Sequence, residues 1–255
     1  MLIEPAWIVT RETSLPIVRW PAALGPLRIV AISDLHTGAP HISVDTLHEV
    51  VERVNAAHPD LIVLLGDYVI HGVVGGHFVE PERTAAALRD LAAPLGVFAV
   101  LGNHDWWYDG GRVTRALAGA GVRVLEDAAT PVRTRGGTLW IAGVSDVRTR
   151  PTAIRRALAA VPEDAPVIVL THNPDVFVRI PARVLLTLAG HTHGGQVNLP
   201  LLGRLIVPSR FGERFAIGHV REEGRDLFVT PGIGTSIVPL RFRVPPEISV
   251  LTVGR

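Results

Sequence analysis

Five short apolar runs in this chain each end in a residue that can ligate a metal. Residues 27–32 lead into Ser33-Asp34-Leu35-His36, residues 61–65 into Gly66-Asp67, and residues 96–101 into Gly102-Asn103-His104-Asp105. Residues 167–170 lead into Thr171-His172-Asn173-Pro174, and residues 184–189 into Gly190-His191-Thr192-His193. Short, β-branched-rich runs of this kind read as strands buried on both faces. In open α/β sheets, ligands bind outside the carboxyl ends of the strands. Asp, Asn and His delivered there from distant positions can therefore converge on one site. The competing reading is chance, since loops are polar anyway; five instances of one chemical type weigh against it.

Between and after these runs the pattern alternates. Ser43 can cap a helix whose apolar face is Val44, Leu47, Val50, Val51 and Val54. Helices are expected at 81–93, 111–120 and 151–160. Further strands are expected at 122–125, 131–134 and 138–143, with closing strands at 215–220, 226–230 and 248–253. Residues 1–26 carry four prolines and two tryptophans and read as an irregular lead-in. Residues 27–255 read as a single domain, since no repeat, low-complexity tract or linker divides them.

Composition narrows the chemistry. There is no cysteine, so disulfides and thiolate sites are excluded and any metal must use imidazole, carboxylate, amide or water. Imidazole suits zinc, iron and manganese. All 25 basic residues are arginine against 24 acidic ones, a balance that implies no nucleic-acid polymer as partner. No apolar run reaches the roughly 18 residues of a membrane span. The first residues lack the basic and apolar regions of a signal peptide. A cytoplasmic or membrane-peripheral protein is the expectation.

The ordered blocks Asp34-Leu35-His36, Gly66-Asp67, Gly102-Asn103-His104, His172 and Gly190-His191-Thr192-His193 resemble the calcineurin-like metallophosphoesterases. Every position of that family's pattern is filled. The segments 171–175, 194–196 and 230–236 are similar to its bacterial YkuE/YaeI-like subgroup. The resemblance implies a four-layer αββα sandwich of two mixed β-sheets flanked by helices. It implies two metals, with Mn, Fe or Zn as the candidates. Asp34, His36 and His193 would hold one, Asn103, His172 and His191 the other, and Asp67 would bridge them. His104 would be no ligand but would assist the leaving group.

Such a site suits phosphodiester hydrolysis of a small molecule through a metal-activated hydroxide. Two cations about 3.5–4 Å apart screen the anionic ester. A neutral Asn103 oxygen leaves its metal more electrophilic than a carboxylate would. No basic cluster follows His104 to hold a dianionic monoester, so diesters are the expected substrates. The alternatives are a lipid-linked pyrophosphatase of the UDP-diacylglucosamine type and a non-catalytic metal-binding scaffold.

Each residue also has a plainer reading. Asp34 and Asp67 could cap turns, and His172 alone would be an ordinary buried histidine. Asp105 is expected to support a ligand or cap a turn rather than to ligate. His71 and His77 follow Asp67 in a glycine-rich loop and could border the site. Trp106, Trp107 and Tyr108 either pack their loop down or form a platform for a substrate group. Residues 199–207 are unusually apolar for a loop. They read as a strand edge or dimer contact, or as a lipid-facing rim that gives peripheral membrane contact.

Overall fold

Alternate residues of the central strands face two different cores, which is why their sequences are apolar throughout. The computed structural model describes residues 1–150 and 153–254. Twelve strands form two six-stranded mixed sheets. The first sheet contains β1 (Val9–Pro16), β2 (Leu27–Ile32), β3 (Leu61–Leu64), β4 (Val97–Ala99), β5 (Arg123–Val124) and β12 (Glu247–Gly254), in the order β1-β12-β2-β3-β4-β5. The second contains β6 (Ala128–Thr134), β7 (Gly137–Val144), β8 (Val167–Thr171), β9 (Leu186–Ala189), β10 (Gly218–Glu222) and β11 (Arg225–Val229), in the order β10-β11-β9-β8-β7-β6.

On β2, Leu27, Ile29 and Ala31 meet Ile168 and Leu170 of β8 and Leu186 and Leu188 of β9 between the sheets. Val30 and Ile32 face the other way, onto helices α1 (Val44–Ala56), α2 (Pro81–Leu88) and α4 (Gly110–Gly119). On the outer side of the second sheet, Val167 and Val169 pack with Ala157 of the short helix α5 (Ile154–Ala157). The layers are thus helix, sheet, sheet and helix, as expected. Strands β2, β3 and β4 run parallel to one another, as do β7, β8, β9 and β11. Each set therefore presents its carboxyl ends along one edge.

Local chemistry explains the helix starts. Ser43 accepts from the Thr46 N–H at 3.1 Å, and Thr46 Oγ1 accepts from the Ser43 N–H at 3.4 Å, a reciprocal cap. Pro81 sits at the first position of α2, where its missing N–H costs nothing.

Several boundaries differ from the sequence reading. Val9–Pro16, expected to be irregular, is an edge strand parallel to β12. Leu15 is its one buried residue, so it has no apolar run to betray it, and Pro16 is tolerated at an edge. Helix α2 stops at Leu88, short of 93. The strand expected at 215–220 is Gly218–Glu222, preceded by a turn of 3-10 helix at Gly212–Phe215. Pro151 and Thr152, the expected start of a helix, lie outside the described residues. Residues 199–207 form no strand, but Leu199 and Gly203 exchange two backbone hydrogen bonds at 2.9 Å around a tight turn. Among the described residues, no helix is long and apolar enough to cross a membrane.

A partly buried carboxyl after β5 has its pKa raised by the fold. Glu126 follows β5, and its Oε1 accepts from the Leu101 N–H at 2.9 Å while its Oε2 has no partner among the described residues. Burial pushes its pKa up to about 7. The fold therefore favours the protonated acid, and the group is destabilising once pH passes from the ordinary carboxylate range through 7. Glu126→Gln is expected to stabilise by roughly 2 kcal/mol at pH 8, a value reduced for its part exposure, and to be neutral at pH 4. Denaturant midpoints at the two pH values check this; an equal shift at both would disprove it.

Candidate metal centre

The strand-exit residues meet at one sheet edge. Asp34, His36 and His193 bring ligand atoms within 4.8 Å of one another, and Asp67, His172 and His191 do the same. All six are buried. Asp67, a member of the second group, also approaches the first. Its Oδ2 is 3.2 Å from His172 Nε2, 3.7 Å from His36 Nε2 and 3.9 Å from His104 Nε2. In the first group, His36 Nε2 faces His193 Nε2 at 3.3 Å and His193 Nε2 faces Asp34 Oδ1 at 3.4 Å. In the second, His172 Nε2 faces His191 Nδ1 at 3.1 Å.

The backbone bends unusually to do this. Asp34, His36, Asp67, His191 and His193 all have positive φ, between 43° and 72°. Left-handed backbone costs a residue with a Cβ about 1 kcal/mol or more and concentrates at functional sites. Glycines let the turns stack: a Cβ on Gly66 would come within 2.6 Å of Gly102 N, and one on Gly102 within 2.1 Å of Asp67 Oδ1.

The donor chemistry fits a metal. Carbonyls only accept, so His36 Nδ1 donates to Val69 O at 3.3 Å and His172 Nδ1 to Leu65 O at 2.7 Å. In His36 that leaves the Nε2 lone pair turned into the cluster, and in His172 it turns Nε2 toward Asp67. Asp34 Oδ1 and Asn103 Oδ1 are buried with no hydrogen-bond partner among the described residues. Orphaned buried acceptors are uncommon, and a cation would satisfy both. Burial drives the His36 pKa down to about 3 and holds His191 and His193 well below the usual imidazole range, the neutral form that can coordinate. Burial opposes charge on His172 too, but Asp67, Asp34 and Asp146 outweigh it and lift its pKa to about 10. Burial, reinforced by Asp67, raises Asp34 to about 6. The field around Asp67 is therefore one that favours positive charge.

Asn103 and His104 open helix α3 (Asn103–Tyr108), and the His104 N–H donates to Asp67 Oδ1 at 2.9 Å. His104 forms a further potential metal group with His36 and Asp67. Its ring lies 4.7 Å from that of His36 and 4.9 Å from that of Trp107. Asp67, Asn103, His104, His191 and His193 line one cavity of about 280 Å³. Trp107, His71, Arg148 and Ile237 form more of its wall.

Of the three aromatics considered for substrate binding, Trp107 alone lines this cavity. Trp106 and Tyr108 pack into the helical core instead, because successive residues of a helix face different ways. His71 borders the cavity, whereas His77 lines another.

Of the supporting residues, Asp105 is the one the sequence reading expects, whereas Asp146, Arg148 and Arg241 gave no signal in the sequence. Asp105 is a support rather than a ligand in its contacts: its carboxylate accepts from the N–H groups of Asp67, Tyr68, Val69 and Gly102 at 2.8–3.2 Å. Asp146, after β7, is fully buried with one oxygen unpartnered among the described residues. Arg148 reaches the cavity although it stands far from the histidines in sequence. Arg241 is fully buried and donates to the carbonyls of Val244, Pro231, Gly232 and Gly234 at 2.6–3.2 Å. It thereby fixes the 230–236 loop, whose Gly234 N–H donates to Asp34 O at 2.6 Å. A long apolar run ending in Arg would have been the nearest available clue, and residues 237–240 are too short for one.

Arg241→Met would leave three of these buried carbonyls without donors, since Gly232 O keeps the Glu247 N–H at 3.1 Å. The expected loss is about 3–5 kcal/mol of stability, with weaker metal retention through the displaced Asp34 loop. Urea unfolding and metal analysis of the purified variant check both. An unchanged midpoint would refute the anchoring role.

Residues 27–202 match the family model for the calcineurin-like phosphoesterases. The chain is 30% identical over 253 residues to the metallophosphoesterase YkuE of Bacillus subtilis, covering 98% of this chain and 87% of that one. It is 29% identical over 259 residues to the phosphodiesterase YaeI of Escherichia coli, covering 97% and 89%. It is 29% identical over 289 residues to the UDP-2,3-diacylglucosamine pyrophosphatase LpxG of Chlamydia trachomatis, covering 90% and 84%. With its two stacked sheets and its Asp, Asn and His cluster at their shared edge, the chain belongs to the calcineurin-like metallophosphoesterase family.

Proposed function

We propose that this protein is a dinuclear metal-dependent phosphodiesterase acting on a small molecule. The observation that carries the reading is the pair of buried three-residue groups, Asp34, His36 and His193 and Asp67, His172 and His191, with Asp67 also within 3.7 Å of His36 and His104 beside them. Asp34, His36 and His193 would hold one metal, Asn103, His172 and His191 the other, with Asp67 shared. The chemistry a bound pair supplies is charge screening of the ester and a water acidic enough to attack near neutral pH.

The protein's own groups do the rest. His104 approaches the cavity from α3, held at its N–H by Asp67. Its side chain lines the cavity, so the imidazole can give a proton to the departing ester oxygen. Burial lowers the His104 pKa, which makes its imidazolium a readier donor. Trp107 and Ile237 offer apolar wall for the second ester group that distinguishes a diester from a monoester.

A second reading has its own support. Leu201, Leu202, Leu205 and Ile206 are exposed on the 199–207 segment, and Ile237, also exposed, lines the cavity. An apolar rim of this kind suits a lipid-linked pyrophosphate, the substrate type named for LpxG.

The test is turnover with Mn²⁺ of bis-p-nitrophenyl phosphate, p-nitrophenyl phosphate, an alkyl diester and UDP-diacylglucosamine. The expected result is a higher kcat/KM for the diester than for the monoester. His104→Ala should cost about 10²–10⁴-fold on the alkyl diester, whose alkoxide needs a proton, and far less on the nitrophenyl ester. A monoester preference would overturn the diesterase reading. A dominant UDP-diacylglucosamine rate would establish the lipid-linked one, and no turnover at all would leave a metal-binding scaffold.

A further inference from the structure

Beside the metal cavity lies a larger one, of about 530 Å³. Arg148 and Pro208 line both, so the two spaces adjoin there. Val147, Asn173, Asp175, Ser209 and Arg210 form most of the remaining wall. None of the catalytic arguments above uses this space.

Its charge is distinctive. Arg148 and Arg210 are both exposed. Each is anchored through its backbone N–H, to Asp146 Oδ2 at 3.0 Å and to Asp175 Oδ2 at 2.9 Å. Among the described residues neither guanidinium has a hydrogen-bond or ion-pair partner. The one carboxylate in the wall is already engaged, since Asp175 Oδ1 accepts from the Ser209 hydroxyl at 2.5 Å and its Oδ2 from Arg210 N. Two free guanidinium forks therefore face a space whose acid is occupied, and a guanidinium matches phosphate oxygens two at a time.

The segment carrying Arg148 is fixed rather than loose. Asp146 Oδ2 accepts from both Arg148 N and Thr149 Oγ1, each at 3.0 Å. Two residues on, the Arg150 guanidinium lies 4.5 Å from the centre of the Trp106 ring. Ser209 and Arg210 are tied in turn to Asp175, which follows His172 at the end of β8. Both arginines thus hang from supports continuous with the metal-bearing loops.

The direction of the substrate follows from the walls. His104, Trp107 and His71 border only the metal cavity. If His104 serves the leaving oxygen, the larger cavity lies toward the retained half of the substrate. We propose that this cavity is a second anion subsite, in which Arg148 and Arg210 bind a further phosphate on the retained half of the diester. The proposal rests on the phosphodiesterase reading for its chemistry, though not for the binding itself.

The test compares two esters with the same scissile bond and leaving group. One is the p-nitrophenyl ester of thymidine 5′-phosphate, and the other carries an additional 3′-phosphate. The wild-type protein with Mn²⁺ should favour the 3′-phosphorylated ester by about tenfold or more in kcat/KM, mainly through KM. Arg148→Ala and Arg210→Ala should each collapse that ratio toward one, and Arg148→Lys and Arg210→Lys should retain part of it. Equal rates for the two esters in the wild type, or a ratio that survives both alanine variants, would overturn the subsite. If neither ester turns over, the phosphodiesterase reading fails and calorimetric titration decides the subsite. Tenfold tighter binding of thymidine 3′,5′-bisphosphate than of thymidine 5′-phosphate, lost in the alanine variants, supports it; equal affinities reject it.

Discussion

The carboxylate of Asp67 is the contact on which the site depends. One oxygen accepts the His104 N–H, and the other stands within 3.2–3.9 Å of imidazole nitrogens from His172, His36 and His104. Those residues arrive from β2, β4 and β8, so one side chain ties both sheets to α3. Burial alone would raise its pKa, yet positive charge on His172 and its neighbours holds it well below the ordinary carboxylate range. An anion kept ionised in a dry cluster of imidazoles is strongly attractive to a cation. The same charge would be costly without compensation, which the His104 N–H and the positive charge on His172 supply.

That arrangement requires a stiff frame. The five left-handed candidate ligands carry backbone strain that a loosely packed loop would release. Here each strained turn follows directly from a strand whose two faces are packed, one between the sheets and one under the helices. The turns are also cross-linked. The His191 N–H donates to Asp34 Oδ2 at 3.0 Å, and the Asp34 N–H to Gly66 O at 2.9 Å. The packing of the fold thus holds these turns in place, the condition for precise metal chemistry.

What the sequence disclosed follows the same physics. Strands β2, β3, β8 and β9 were legible because burial on both faces leaves nothing polar in them, and the metal-type residues stood at their ends. Strand β1 was not, because an edge strand with one buried residue has no periodic signal. The aromatic run after His104 was ambiguous because three adjacent residues point in three directions once a helix forms, and only Trp107 turned toward the cavity. Arg148, Asp146 and Arg241 were silent for a different reason. Their roles rest on long-range placement, with Arg241 engaging carbonyls and Arg148 arriving from a turn after β7, and neither relation leaves a local pattern.

Asp105 shows why the supporting layer must be chemically exacting. It stands next to His104, yet it points away from the cavity and collects four N–H donors, three from the Asp67 turn and one from Gly102. Burial, with the charge of Asp67 added, pushes its pKa up to about 7, and the backbone donors oppose that rise. An acceptor-only group with two oxygens is the side chain that can take four donors at once. An amide would turn an NH₂ toward backbone N–H groups and lose half of these bonds. The residue that holds Asp67 in its left-handed turn is therefore itself a buried acid. Its negative field adds to that of Asp67, so the same bonds that enforce the geometry also deepen the attraction for positive charge at the sheet edge.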